Sequence, residues 1–174
     1  RPPVGAKFGK TSLYFDGSSY LTAPANGAHK HFFGHGYDHD SINFGTGDFT
    51  VECWFNIDKF RTTGPNASTG YSGLISIYHS KGDGINSYGW ALYYDNSGTL
   101  YWRVQYADDD GVDPGYYSIY PDSITLQEDV WYHVAVTREN GSAKVYIDGV
   151  KVHAPNTDSV DYGAFPIQAE NLKI

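Results

Sequence analysis

Residues 131–149 read WYHVAVTRENGSAKVYIDG, and the fold class turns on this stretch. Two runs alternate apolar and polar residues around Asn140-Gly141. In the first, Tyr132, Val134 and Val136 point one way and His133, Ala135 and Thr137 the other. In the second, Val145 and Ile147 oppose Lys144, Tyr146 and Asp148. Side chains two apart share a face only in extended backbone, so each run reads as a strand with one buried side. Asn-Gly tolerates the positive φ angles of a tight turn, which makes the two strands an antiparallel hairpin. Asp148-Gly149 supplies a second tight turn into residues 150–153. The whole is a three-stranded meander, and no helix fits it.

The same period recurs outward from this stretch. Phe49, Val51, Cys53, Phe55 and Ile57 form one side of a strand whose other side is Thr50, Glu52, Trp54 and Asn56. Residues 74–79 read as a strand, and 89–94 and 100–106 as a hairpin across 95–99. In that hairpin Trp90, Leu92, Tyr94, Leu100, Trp102 and Val104 share one side. Tyr93, Tyr101, Arg103 and Gln105 share the other. Residues 116–120 form a short strand. Near the start, 12–15 read as a first strand, Asp16-Gly17 as its turn and 20–23 as its return. Residues 172–174 begin another strand.

Three pieces carry a resemblance: SLYFDGSSYLTAP at 12–24, GTGDFTVECWFNID at 45–58, and the hairpin at 131–149. In this order they resemble the laminin-G-like, concanavalin A-like jelly-roll domains. The resemblance covers most of the chain. It implies an all-β fold, an antiparallel β-sandwich with two sheets of about six strands each when complete. It also implies that the opening strand pairs near the final strand of the domain. Residues 1–11 then form an arm or linker, 12–174 the jelly roll, and 25–47 a long insertion loop. The resembling family continues into a last strand that this sequence lacks, so the domain reads as incomplete at its C-terminal end.

Composition sets limits on function. At 174 residues one domain is expected, large enough to bury a core. Charged residues make up only 18% against 17% aromatic, which is not the signature of a disordered chain. Twelve basic residues against 20 acidic give a formal charge of −8. That disfavours attraction to nucleic acid or anionic membrane, and no apolar run is long enough to insert across a bilayer. Cys53 stands alone, so no internal disulfide forms. It alternates in step with Val51 and Phe55 and reads as a small buried apolar residue.

Candidate binding residues fall in three places. Tyr93, Tyr101, Arg103 and Gln105 gather flat rings and hydrogen-bond donors on one face, a mixture that suits carbohydrate. Rings stack on the apolar faces of sugars and polar groups read the hydroxyls. The alternative is an ordinary solvated face with Tyr favoured for its strand propensity. The loop NGAHKHFFGHGYDHDSINF at 26–44 holds four of the seven histidines. His35 and His39, beside Asp38 and Asp40, are candidate metal ligands by chemistry, though their spacing matches no helical pair or finger pattern. Tyr37, with Phe32 and Phe33, makes the same loop a candidate ligand contact. In ADDDGVDPG at 107–115, Asp108, Asp110 and Asp113 are candidate calcium ligands, against a solvated acidic turn as the alternative. Glu52 beside Trp54 admits a sugar-flanking role or a structural one.

Catalytic patterns are absent from the sequence. Glycosidases of this sandwich class alternate two or three carboxylates along one strand, and retaining chemistry holds two about 5 Å apart. Here Glu52 is alone on its strand, while Glu128, Glu139 and Glu170 fall in loops or edges. No Gly-x-Ser-x-Gly elbow, His-Glu-x-x-His pair or phosphate-binding glycine loop occurs. What the resemblance implies is a non-catalytic recognition or adhesion module, and the polar, aromatic, acidic composition fits one at a cell surface, outside the cell or on a virion. Its expected partner is a glycan or polysaccharide, with calcium as a possible cofactor that the resemblance implies. The alternative is a structural subunit of a surface filament, phage appendage or particle, making protein–protein contacts.

Overall fold

A computed structural model describes residues 5–24, 47–62, 70–80, 87–106, 115–121, 123–140, 142–152 and 171–173. Every regular element among them is a strand: β1 (Thr22–Pro24), β2 (Phe49–Asn56), β3 (Ser72–Ser80), β4 (Ser87–Tyr94), β5 (Leu100–Tyr106), β6 (Gly115–Ile119), β7 (Trp131–Glu139), β8 (Ser142–Ile147), β9 (Val150–Lys151) and β10 (Asn171–Lys173). They form a six-stranded sheet in the order β1-β10-β3-β4-β5-β6 and a four-stranded sheet in the order β2-β7-β8-β9. All the pairings are antiparallel. Among the described residues the smaller sheet has four strands, where about six are expected of a complete domain. The two runs of 131–149 pair as the hairpin read from sequence, with Val136 opposite Val145 and Val134 opposite Ile147. Asn140 turns at φ 50°, and Asp148 and Gly149 at 51° and 79°.

Side chains two apart do share a face, and the two sheets bury those faces against each other. Val51, Phe55, Val134, Val136, Val145 and Ile147 from the smaller sheet meet Trp90, Leu92, Trp102, Val104 and Ile119 from the larger. Trp102 stacks on Trp90 at 5.0 Å and reaches Phe49 across the interface at 5.9 Å. Each such side chain contributes about 1.5–3 kcal/mol by leaving water. One assignment within this pattern needs correction. Ala135 lies on the face read as outward, yet it is buried. Its pairs are Glu52 and Tyr146, and a methyl group between two longer side chains is covered by them.

Residues 12–15 do not form the expected first strand. Leu13 and Tyr14 are 72% and 63% exposed. An apolar run becomes a strand only when a neighbour takes its backbone hydrogen bonds, and no strand among the described residues lies beside it. The turn that follows does form. Asp16 Oδ1 accepts hydrogen bonds from Ser18 N (2.9 Å), Ser18 Oγ (2.9 Å) and Ser19 N (2.7 Å). Those donors hold its carboxyl well below the usual carboxylate range. The return, read at 20–23, is the strand β1 at Thr22–Pro24; it pairs with β10, where the expectation gave that pairing to residues 12–15.

Cys53 packs against the core, and burial pushes its thiol up to about 12, with the neighbouring Glu52 charge adding to the effect. A thiol held protonated is a poor nucleophile.

Candidate functional site

Register places the candidate face. β4 and β5 pair with Tyr93 opposite Tyr101 and Ala91 opposite Arg103. Their immediate neighbours Leu92 and Trp102 are core residues, so Tyr93, Tyr101 and Arg103 stand on the outer side of the six-stranded sheet. The structure therefore brings together three of the four residues read for this face. The backbone of Gln105 continues the row opposite Gly89 and Tyr116, and its side chain lies outside the described atoms.

The rings form a row. Tyr93 and Tyr101 stack almost parallel, at 5.0 Å and 8°. Tyr71, just ahead of β3, meets both edge-on, at 5.1 Å and 5.8 Å. Tyr120, just after β6, leans on Tyr101 at 6.0 Å. The Arg103 guanidinium lies over Tyr93 at 5.8 Å, and its Nε donates to Ser118 Oγ at 3.2 Å. Tyr93 is buried beneath this cover and Tyr101 partly so. The exposed rings are Tyr71 (41%) and Tyr120 (37%). So the stacked pair is the floor, and the two flanking tyrosines are the surface a ligand would meet. Gly73 pairs with Tyr93, and a Cβ there would touch nothing within 4 Å, which leaves room beside that ring.

The row is tied to the β4–β5 turn. Asp95 N donates to Thr99 O (3.0 Å) and Gly98 N to Asp95 O (3.1 Å). The Asp95 carboxylate accepts from Ser97 and Thr99 in that turn and from the Tyr101 hydroxyl at 2.8 Å. Burial is the largest single influence on Asp95 and raises its pKa. The bonds from Ser97, Thr99 and Tyr101 together outweigh it and leave the carboxyl lowered. Tyr101 is pushed up to about 12, first by burial, then by the bond to Asp95 and its charge.

Sequence reading missed Tyr71, Asp95, Ser118 and Tyr120. Tyr120 is two residues beyond Ser118 and so keeps its phase; that spacing was the available signal. Tyr71 follows a loop and is placed only by the pairing of β3 with β4.

The other sites diverge. Glu52 Oε2 lies 3.4 Å from His133 Nε2. Trp54 packs on the His133 ring at 5.0 Å, under Lys7 Nζ at 4.6 Å and against Phe8 at 5.2 Å. Protein groups thus contact one side of the pair, while Glu52 and Trp54 both stay exposed, Trp54 at 40%. Tyr37, His35, His39, Asp108, Asp110 and Asp113 lie outside the described residues. Among the described residues, no group of three or more His, Cys, Asp or Glu could hold a metal ion.

The laminin G model of the concanavalin A-like lectin/glucanases superfamily matches residues 15–169. The chain belongs to this superfamily. Among solved structures it is similar to a Ruminococcus gnavus IT-sialidase CBM40, at 12% identity and TM-score 0.55, over 78% of this chain and 65% of that one. A second structure of that CBM40, bound to α2,3 sialyllactose, is similar at 13% identity and TM-score 0.50, over 73% of this chain and 62% of that one. The chain thus spans just under two thirds of those domains, and what it shares with them at this identity is the sandwich fold. No curated protein matches the sequence.

Proposed function

We propose that this chain is a non-catalytic recognition module that binds carbohydrate on the outer face of its six-stranded sheet. The observation that carries the reading is the tyrosine row. Two exposed rings, Tyr71 and Tyr120, flank the Tyr93–Tyr101 floor beside Arg103 and Ser118. Sugars present apolar C–H faces and a rim of hydroxyls, so they need flat surfaces next to donors and acceptors. An aromatic side chain with few torsions supplies contact area at low entropic cost. The similar Ruminococcus gnavus structures are CBM40 domains, one of them bound to a sialylated sugar, which supports a glycan as the ligand class.

The described glutamates support a non-catalytic role, since each is engaged structurally. Glu52 faces His133, Glu139 pairs with Lys144, and Glu128 holds Lys59 and the Phe60 amide. Calcium is part of the proposal through Asp108, Asp110 and Asp113 alone. Its test is the same binding measurement with and without a chelator. The proposed setting is extracellular, at a cell surface or on a virion. Among the described residues no helix is long and apolar enough to cross a membrane.

The direct test is retention on immobilised glycans, with sialyllactose, lactose and cellulose oligomers as probes. Tyr71→Ala and Tyr120→Ala should each weaken binding about two- to tenfold, the worth of one lost ring contact. Their unfolding transitions should stay near that of the wild type. Retention by none of the probes, or equal retention by both variants, would overturn the reading. Release of reducing ends from the same glycans would identify an enzyme instead.

A second reading, a subunit making protein–protein contacts in a filament or particle, has support in the exposed Leu13, Tyr14 and Tyr20. It predicts concentration-dependent polymers in light scattering, which Leu13→Ser should reduce.

A further inference from the structure

We propose that Asp95 is a positioning residue for the carbohydrate face: one carboxylate oxygen fixes the β4–β5 turn, and the other holds the Tyr101 hydroxyl and so sets the row of rings. The inference rests on the carbohydrate-binding reading above and adds to it the part that keeps the face rigid.

The two oxygens divide the work. Oδ1 accepts from Ser97 N (2.8 Å), Ser97 Oγ (2.6 Å) and Thr99 N (3.0 Å), all within the turn. Oδ2 accepts from the Tyr101 hydroxyl at 2.8 Å. The Thr99 side chain also bonds to Tyr101, and Ser97 Oγ lies 3.0 Å from Thr99 Oγ1, which closes the network. A tyrosine side chain has two torsions; anchoring its hydroxyl end removes the swing of both.

Tyr101 is the hub of the row. Tyr93, Tyr71 and Tyr120 all contact its ring, at 5.0, 5.8 and 6.0 Å. A ring free to swing would loosen both exposed tyrosines together, and a ligand would then have to order them on binding. Holding the platform in its bound shape removes that entropic cost in advance. The Tyr101 proton points to Asp95, so this hydroxyl donates nothing to a ligand. Its contribution to recognition is the fixed plane of the ring, and the ligand class is a sugar engaged through its C–H face.

Asp95→Asn separates the two roles. Asparagine keeps one carbonyl oxygen for the turn donors and is itself a favoured turn residue. Its amide nitrogen replaces the acceptor that Tyr101 needs. Tyr101→Phe removes the hydroxyl and keeps the ring. The probe is whichever of sialyllactose, lactose or cellulose oligomers the wild type retains, measured by titration calorimetry. Asp95→Asn and Tyr101→Phe should each lose about tenfold in affinity, and the double variant no more than either, since contacting groups acting as one unit are not additive. The Cζ resonance of Tyr101, assigned by its loss in Tyr101→Phe, should titrate earlier in Asp95→Asn.

Equal affinity of Asp95→Asn and wild type would overturn the proposal and leave the functional reading standing. Additive losses in the double variant would overturn it too, because Asp95 would then act on something other than Tyr101. A wild type that retains none of the probes overturns the functional reading, and the proposal with it.

Discussion

Gly98→Ala tests whether the β4–β5 turn is held by close packing or by backbone preference alone. Gly98 has φ 81°, a region that costs a non-glycine residue about 1–2 kcal/mol. It is also crowded. An added Cβ would sit 2.4 Å from Leu126 O, 3.0 Å from Thr125 Cγ2 and 3.1 Å from Leu126 N. Two of those three atoms are backbone, so the 126 segment must move. That movement strains the Leu126 N to Gly98 O hydrogen bond of 2.8 Å, worth about 0.5–1.5 kcal/mol, and shifts Leu126, a fully buried core residue. The total is about 2–4 kcal/mol. Gly149→Ala is the internal control. Its φ is 79°, yet a Cβ there meets nothing within 4 Å, so only the conformational cost of about 1–2 kcal/mol applies. Urea unfolding of wild type and both variants measures the difference. With m of about 2 kcal/mol/M, the Gly98 midpoint should fall by about 1–2 M at unchanged slope. A Gly98→Ala loss no greater than that of Gly149→Ala would refute the packing argument.

Trp102→Ala should destabilise by about 3–5 kcal/mol, because the ring is 1% exposed and joins Trp90 to Phe49 across the two sheets; loss of near-ultraviolet circular dichroism would report it. Cys53 should react slowly with a thiol reagent at mildly alkaline pH and rapidly once urea unfolds the chain, and fast labelling of the native protein would contradict its burial. Tyr101 makes stability pH-dependent at the alkaline end. Its folded pKa is raised from 10.0 to about 12, so its contribution is complete below pH 10 and disappears as pH rises to 12. Melting temperature should therefore fall more steeply over that window in the wild type than in Tyr101→Phe. Asp95 acts at the acid end with the opposite sign: a lowered carboxyl stabilises above its ordinary 3.8 and loses that contribution as pH falls below it.

The fold was legible where a local rule and the tertiary structure agree. At Val134, Val136, Val145 and Ile147 a period of two and a burial requirement coincide, and Asn140, Asp148 and Gly149 adopt the positive φ angles the turns demand. Residues 12–15 show the opposite case. Leu13, Tyr14 and Phe15 have strand composition, but strand formation is a property of a pair. Nothing in LYF states whether a partner is present. Ala135 fails for a related reason: period assigns a direction, while burial depends on the size of Glu52 and Tyr146 beside it.

The candidate face divides along the same line. Tyr93, Tyr101 and Arg103 were found because they alternate within one hairpin, where sequence spacing is spatial spacing. Tyr71 reaches them through the pairing of β3 with β4, and no local pattern encodes that register. Burial then inverts the roles a sequence reader assigns. Tyr93 and Tyr101 carry the pattern, but stacked at 5.0 Å they cover each other and become the floor. Tyr71 and Tyr120 sit at the ends of elements, where pattern is weakest, and they keep 41% and 37% of their surface. β4 and β5 are interior strands, flanked by β3 and β6, so the residues easiest to place are covered from both sides. The residues left to meet a ligand lie at strand ends, where a loop such as the Asp95 turn must supply the order that the sheet no longer does.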